Sequence, residues 1–307
     1  MKACIDIGGT KVAVSLNDGA GLDLIARRSE PTAKTGRNDA LAVQVLRMVD
    51  EACAEAGVAP ASVQRAGVAS AGPFVLQGGM VELASPNICG GLAGPARGLP
   101  NEWMTAALEA PLRGRFAEVR VENDAVAALE AERRWGALRG SDHCAYVTWS
   151  TGVGTGLCVD GRVLRGKNGN AGHAGHMFVS DNNDALCGCG NIGDLEALVA
   201  GSAVTRRFGA DAAALMQRAR AGDPAAVVIV DELCRVMGRG LYNLAVILDL
   251  ERISLGGSVF LHNQDYLLPR LDAQLRGRMP ALTDGCKLMP AGLGLRVGDY
   301  AALALLD

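Results

Sequence analysis

Short apolar runs separated by glycine open the chain: CIDI, then GGTK, then VAVSLN, then DGAG, then LDLIARRS. Runs of this length bounded by glycine and Asp-Gly predict two linked hairpins, a three-strand meander. The same layout recurs downstream, with a strand over Ala145–Ser150, a glycine loop TGVGTG, a strand at LCV, a turn at Asp160-Gly161 and a third strand at RVLR. Each copy places a small-residue loop between its first two strands, and this internal duplication is the main organisational feature of the chain.

After each meander the period lengthens. Leu41, Val45, Met48, Val49 and Ala52 recur at steps of three and four, which predicts an amphipathic helix over Asp39–Ala56. A strand over Val63–Ser70, a glycine- and proline-rich stretch over Gly72–Pro100 and a strand at Val119–Val121 follow, and then Asn123 and Asp124 head a helical pattern that runs through Trp135. Further helices are predicted over Leu195–Phe208, Ala212–Ala219, Pro224–Leu248 and Tyr266–Met279, and a strand over Arg252–Leu255 leads into Gly256, Gly257 and Ser258. No low-complexity linker separates the halves, so the duplication places the domain boundary near residue 122 or a little later.

Composition narrows the class. At 307 residues the chain exceeds the size at which one core stops growing, so two domains with a cleft between them are expected. No apolar run approaches the roughly 20 residues needed to cross a bilayer, and MKACIDIGG does not read as an export signal, which leads to an expectation of a soluble cytoplasmic protein with no membrane partner. Nine scattered cysteines, an odd number, read as reduced thiols rather than a disulfide framework. A net charge of −3, no basic block and an aromatic content of 4% argue against a nucleic-acid partner.

Four groups of residues carry candidate chemistry. In DIGGTK, Gly8, Gly9, Thr10 and Lys11 form a loop whose backbone N–H groups can approach a polyanion, and Asp6 could hold Mg²⁺ through water; a plain glycine hairpin with a surface Asp fits the same residues. STGVGTG, with Thr151, Gly152 and Gly154, repeats this chemistry in the second copy, and Gly256-Gly257 of LGGS could close on a base or ribose, or be an ordinary strand-to-helix turn. None of these matches a P-loop or the spacing of a dinucleotide fold. Asp124 can accept a proton from a substrate hydroxyl and Asn123 can fix a neighbouring hydroxyl, although both residue types also cap helices. His176, Cys187, Cys189 and Asp194 offer one imidazole, two thiolates and a carboxylate to a tetrahedral zinc ion; with all four positions filled it would be structural, and two buried thiols in a glycine loop are the plain alternative. Trp103, Trp135 and Trp149 read as packing residues.

Together, DIGGTK, Gly72-Pro73, SPN at Ser85–Asn87, END at Glu122–Asp124, STGVGTG, GHAGHM, CGCGNIGDLE and LGGS resemble the ROK family of the actin and hexokinase superfamily, over nearly the whole chain. The resemblance implies an α/β fold of two RNase H-like domains with mixed sheets and a central cleft: residues 1–122, completed by a C-terminal helix over 295–307, and residues 123–294, which carry the zinc loop. It implies ATP and Mg²⁺ as cofactors, with the phosphates on DIGGTK and STGVGTG, the nucleoside on LGGS, and a structural Zn²⁺. It implies Asp124 as general base and sugar contacts from Asn87, Asn123, Asp124, His176 and Glu196, with His176 touching zinc through one ring nitrogen and sugar through the other. A homodimer is also implied.

Two departures bear on specificity. The family's GExGH is GHAGH here, so His173 stands where a sugar-binding glutamate is expected, and Asp194 replaces the third family cysteine. The expected reaction is transfer from Mg-ATP to the 6-hydroxyl of a glucose-like hexose, leaning to an amino sugar such as kanosamine, a lean resting on the resemblance of GKNGNAGHAGHM to antibiotic-pathway kinases. The alternatives are an ordinary glucokinase or N-acetylmannosamine kinase, and a sugar-responsive repressor of the same family. A repressor would carry a helix-turn-helix ahead of the sugar fold, whereas the first predicted strand begins by residue 2.

Overall fold

The computed structural model describes residues 1–93, 98–181 and 185–307; part of the Gly72–Pro100 stretch and part of the loop before Cys187 fall outside it. Two compact units divide the chain. The first comprises residues 1–131, 165–171 and 296–307, and the second comprises 132–164 and 172–295.

In the first unit, β1 (Lys2–Ile7), β2 (Lys11–Asn17) and β3 (Ile25–Pro31) form the expected meander. Helix α1 (Ala40–Ala56) then returns the chain to β4 (Arg65–Ser70), which lies parallel to β1. A hairpin follows, β5 (Phe74–Gln77) and β6 (Met80–Leu83), and then the short helix α2 (Gly90–Ala93), β7 (Ala106–Ala107), α3 (Glu109–Arg113), β8 (Glu118–Asn123) and α4 (Asp124–Trp135). The main sheet has the order β3-β2-β1-β4-β8, with β1, β4 and β8 parallel and β2 and β3 antiparallel. The apolar stripe of α1 is fully buried and joins Ile5, Ile7, Val12 and Val14 in one core.

The second unit repeats the plan. Its strands are β9 (Cys144–Trp149), β10 (Val153–Val159), β11 (Arg162–Val163), β12 (Arg252–Gly256) and β13 (Lys287–Pro290), in the order β11-β10-β9-β12-β13. Parallel and antiparallel pairings fall in the same places as in the first sheet. Between them run α5 (Leu195–Val199), α6 (Gly201–Phe208), α7 (Ala212–Arg220), α8 (Pro224–Leu248), α9 (Ser258–Leu261), α10 (Gln264–Leu275) and α11 (Pro280–Thr283); α12 (Val297–Ala304) belongs to the first unit. The long helix α8 starts and ends where the sequence places it, because Asp223 accepts from Ala225 and Ala226 N–H at 3.0 and 3.3 Å, Pro224 opens the first turn and Asp249 takes the left-handed conformation at the end.

The change of unit falls inside α4, after Ala131. The structure departs from the sequence reading at four places. The single helix expected over Leu195–Phe208 is two, since Ala200 is extended at ψ 151° and Gly201 N–H donates instead to Ser150 O at 2.8 Å. The helix expected over Tyr266–Met279 stops at Leu275 because Arg276 is extended and Gly277 has a positive φ. The Gly72–Pro100 stretch contains the β5–β6 hairpin, whose two-residue turn is Gly78-Gly79 at φ 56° and 81°. Finally, β10 begins at Val153, so Gly154 and Gly156 are strand residues and only 150–152 form a turn. No helix among the described residues is long and apolar enough to cross a membrane.

Candidate functional site

In the first unit the carboxyl ends of three parallel strands collect the polar residues. Register aligns Asp6 with Ala69 and Ala69 with Glu122, then Ile7 with Ser70 and Ser70 with Asn123. Asp6 therefore sits one step inside this edge, and DIGGTK and Asn123-Asp124 leave it side by side with the exit of β4. Such strand ends are where open α/β sheets bind ligands. The loop after β1 is tight: Gly8 N–H donates to Lys11 O at 2.9 Å, and Thr32 holds it from the side, its hydroxyl on Gly8 O at 2.7 Å and its N–H on Thr10 O at 3.1 Å. A side chain at Gly9 would stand 2.7 Å from Asn87 Cβ, so glycine there brings the exposed Asn87 against the loop.

Asn123 and Asp124 divide the work that the sequence left open between them. The buried Asn123 is a helix cap, its Oδ1 accepting from Ala125 N–H at 3.0 Å and Val126 N–H at 3.4 Å, so what it offers a ligand is its amide NH₂. Asp124 is exposed in the first turn of α4 and takes Ala125 N–H at 2.8 Å on Oδ1. Burial first, and then the negative charge of Asp124, hold the Asp6 carboxyl up at about 7 against an ordinary 3.8. Two acidic groups under mutual repulsion at one strand edge are a site that gains from a divalent cation.

In the second unit His176, Cys187, Cys189 and Asp194 converge, with their ligand atoms all within 4.8 Å of one another. His176 Nδ1 lies 3.2 Å from Asp194 Oδ2, Cys187 Sγ 3.7 Å from His176 Nδ1, and Cys189 Sγ 3.4 Å from Asp194 Oδ2. Zinc bonds of about 2.0 Å to N or O and about 2.3 Å to S give tetrahedron edges of roughly 3.3 to 3.8 Å, and these separations fit. Asp194 serves twice: Oδ1 caps α5 by accepting Ala197 N–H at 2.7 Å, leaving Oδ2 for the cluster. Because Nδ1 of His176 faces the cluster, its Nε2 is the nitrogen free to address another group. The bond to Asp194 raises the His176 pKa, whereas burial lowers that of His173, whose ring centroid lies 6.1 Å away.

Glycines seat this histidine segment on β10: a Cβ at Gly175 would lie 2.2 Å from Val153 O, and one at Gly172, at φ 92°, would lie 2.6 Å from Thr155 O. Glu196 Oε2 accepts Val153 N–H at 2.9 Å and lies against Gly152, which ties the glutamate to the 150–152 turn. Ser202 holds the same turn through Thr151 O at 2.8 Å, and Ser150 Oγ meets Ser258 Oγ at 3.0 Å, just past Gly256-Gly257. Gly257, at φ 85°, passes 2.4 Å from Trp149 O measured from where a Cβ would be.

The ROK family pattern matches residues 2–292 of the chain. The chain belongs to the ROK family. A glucokinase of Aeropyrum pernix is 29% identical over 98% of this chain and 95% of its own length. An N-acetylmannosamine kinase of Salmonella typhi is 33% identical over 84% of this chain and 82% of its own. The crystal structure of a ROK hexokinase from Thermus thermophilus superposes with a TM-score of 0.76 at 32% identity, covering 98% of this chain and 96% of that one. The mixed α/β fold is that of ROK sugar kinases, and the protein is an ATP-dependent sugar kinase.

In this ROK kinase the expected residues fall into two groups. Asp6, Gly8, Gly9, Thr10, Lys11, Asn87, Asn123 and Asp124 lie in the first unit; Thr151, Gly152, Gly154, His173, His176, Cys187, Cys189, Asp194, Glu196, Gly256 and Gly257 lie in the second. Gly154 is not in the turn but inside β10, opposite Thr148. Sequence reasoning missed Thr32, Arg165 and Asn170, whose partners lie far away in the chain and leave no local spacing signal.

Proposed function

We infer that the protein transfers the γ-phosphoryl group of ATP to the 6-hydroxyl of a glucose-like hexose, with Asp124 as general base and an amino sugar such as kanosamine as the favoured acceptor. The observation that carries the reading is the placing of an exposed Asp124 carboxylate and a half-buried Asp6 at the same strand edge, beside the Gly8–Lys11 loop. Asp124 takes the hydroxyl proton; Asp6 would hold Mg²⁺; DIGGTK, the 150–152 turn and Gly256-Gly257 would address the nucleotide. Phosphoryl transfer asks for little beyond positioning and charge stabilisation. Sugar hydroxyls are read by the Asn123 amide, Asn87, His173, Glu196 and Nε2 of His176.

Zinc is assigned to His176, Cys187, Cys189 and Asp194, where it would fix the tautomer and orientation of a sugar-reading histidine. The chain's own contribution is the cap: with Oδ1 committed to α5, Asp194 cannot swing away from the cluster.

The lean to an amino sugar draws support from His173. Burial keeps its imidazole neutral near pH 7, and a neutral ring can accept from a sugar ammonium where an imidazolium would repel it. The relatives named above, a glucokinase and an N-acetylmannosamine kinase, favour the two alternative acceptors. Coupled ADP-release assays across glucose, mannose, N-acetylmannosamine, glucosamine and kanosamine decide among them, and glucose as the clearly best substrate would overturn the lean.

A further inference from the structure

The segment 165–171 belongs to the first unit although neither flanking segment does, and its side chains have no part in the chemistry so far. Arg165 uses its fork on two carboxylates: Nε on Glu122 Oε2 at 2.6 Å, and a terminal nitrogen on Glu130 Oε1 at 3.1 Å. Glu122 is the residue before Asn123 in β8, and its side chain is only 7% exposed; Glu130 lies in the second turn of α4. The guanidinium thus spans the β8–α4 turn that carries Asp124. The second oxygen of Glu122 accepts Asn123 N–H at 3.2 Å, which extends the chain of bonds to the cap itself.

Five residues on, Asn170 matches both halves of its amide to one backbone residue, accepting Phe74 N–H at 2.7 Å and donating to Phe74 O at 2.8 Å. Phe74 follows Gly72-Pro73 at the exit of β4, the strand in register with β8 at Ser70 and Asn123. Two adjacent strand exits are therefore held by one short segment.

We propose that Arg165 and Asn170 are positioning residues for the reaction: Arg165 staples the turn bearing Asp124 and Asn170 holds the neighbouring exit, so that the carboxylate stands in one place when the sugar hydroxyl arrives. The proposal rests on Asp124 being the base. It needs the planar fork, since an ammonium is a point charge that cannot satisfy both carboxylates in this geometry.

The test compares the wild type with Arg165→Ala, Arg165→Lys, Asn170→Ala and the double variant Glu122→Gln/Arg165→Met, which removes the staple without leaving the buried Glu122 charge unpaired. Two readouts are taken on each: steady-state kinetics with Mg-ATP and the best hexose, and hydrogen exchange at residues 123–126. Expected are a kcat 10- to 100-fold lower with KM for Mg-ATP within twofold, in keeping with about 10²-fold for a misplacement near 1 Å, exchange at least tenfold faster, and only partial recovery with Arg165→Lys. Should Arg165→Ala fail to fold, the double variant decides. Unchanged exchange in the double variant, or kcat within twofold of wild type, overturns the proposal. A wild type that phosphorylates no hexose would remove the kinase reading, and exchange alone would then decide the staple.

Discussion

Asp6 is the residue whose chemistry is most displaced from its ordinary state. Held up at about 7 by burial and by Asp124, it keeps its proton in the folded protein over a range where the unfolded chain has lost it near 3.8. Between these values the native state binds more protons, so without metal the stability falls as pH rises from about 4 to 7 and is level above that. Urea unfolding at pH 5 and pH 8 reads this directly: the wild type should have the lower midpoint at pH 8, and Asp6→Asn should abolish the difference while removing kinase activity. Asp124→Asn keeps the shape of the site and loses the carboxylate proposed as the proton acceptor. Its kcat should fall by about 10²- to 10⁴-fold with sugar affinity by titration calorimetry largely kept, and retained turnover would remove Asp124 from the base role. Both residues were legible in the sequence because each stands beside a glycine turn or a helix start. What the sequence left undecided was the division of labour between Asn123 and Asp124, which depends on which side chain turns back to cap α4.

Among the elements, the loop that carries Cys187, Cys189 and Asp194, and α12, make the clearest claims. Asp194→Ala removes a proposed metal ligand and the cap of α5 together, whereas Asp194→Asn keeps a cap and weakens only the cluster. The alanine variant should therefore lose metal by elemental analysis and also unfold earlier, with the cap contributing about 1 kcal/mol of the loss; equal metal content in all three proteins would refute the assignment. On β4, a Cβ at Gly67 would stand 2.0 Å from Ala302 O, so Gly67→Ala must push α12 off the sheet. Its melting temperature should drop by several degrees, in line with overpacking costs of about 1 to 3 kcal/mol. The β5–β6 hairpin was readable from Gly78-Gly79 between apolar runs, but was hidden by the surrounding glycine and proline. The break at Ala200 was not readable, because nothing local marks it: it follows from the bond of Gly201 to Ser150, about fifty residues away.

At the scale of the whole molecule, the first unit is assembled from three separate stretches of chain, with α12 returning from the far end to β1 and β4. Arg27 Nε donates to Asp299 Oδ1 at 2.8 Å, Arg65 donates to Leu306 O, and Lys2 pairs with Asp307, so the terminal segment is fastened near its start and at its end. Deleting residues 296–307 should leave the first unit exchanging hydrogen broadly while α8 and its core in the second stay protected. The sequence by itself determined the duplicated meanders, the period of α1, the bounds of α8, the first glycine loop and which residues are candidates for the two sites, since each is encoded in neighbours within a few positions. Only the tertiary structure decided that Arg165 spans Asp124, that Thr32 pins the first glycine loop, that Glu196 is tied to Val153 N–H and that His176 turns Nδ1 to the cluster. Those facts depend on hydrogen-bond partners brought together across long stretches of chain, and periodicity carries no record of which distant donor meets which acceptor.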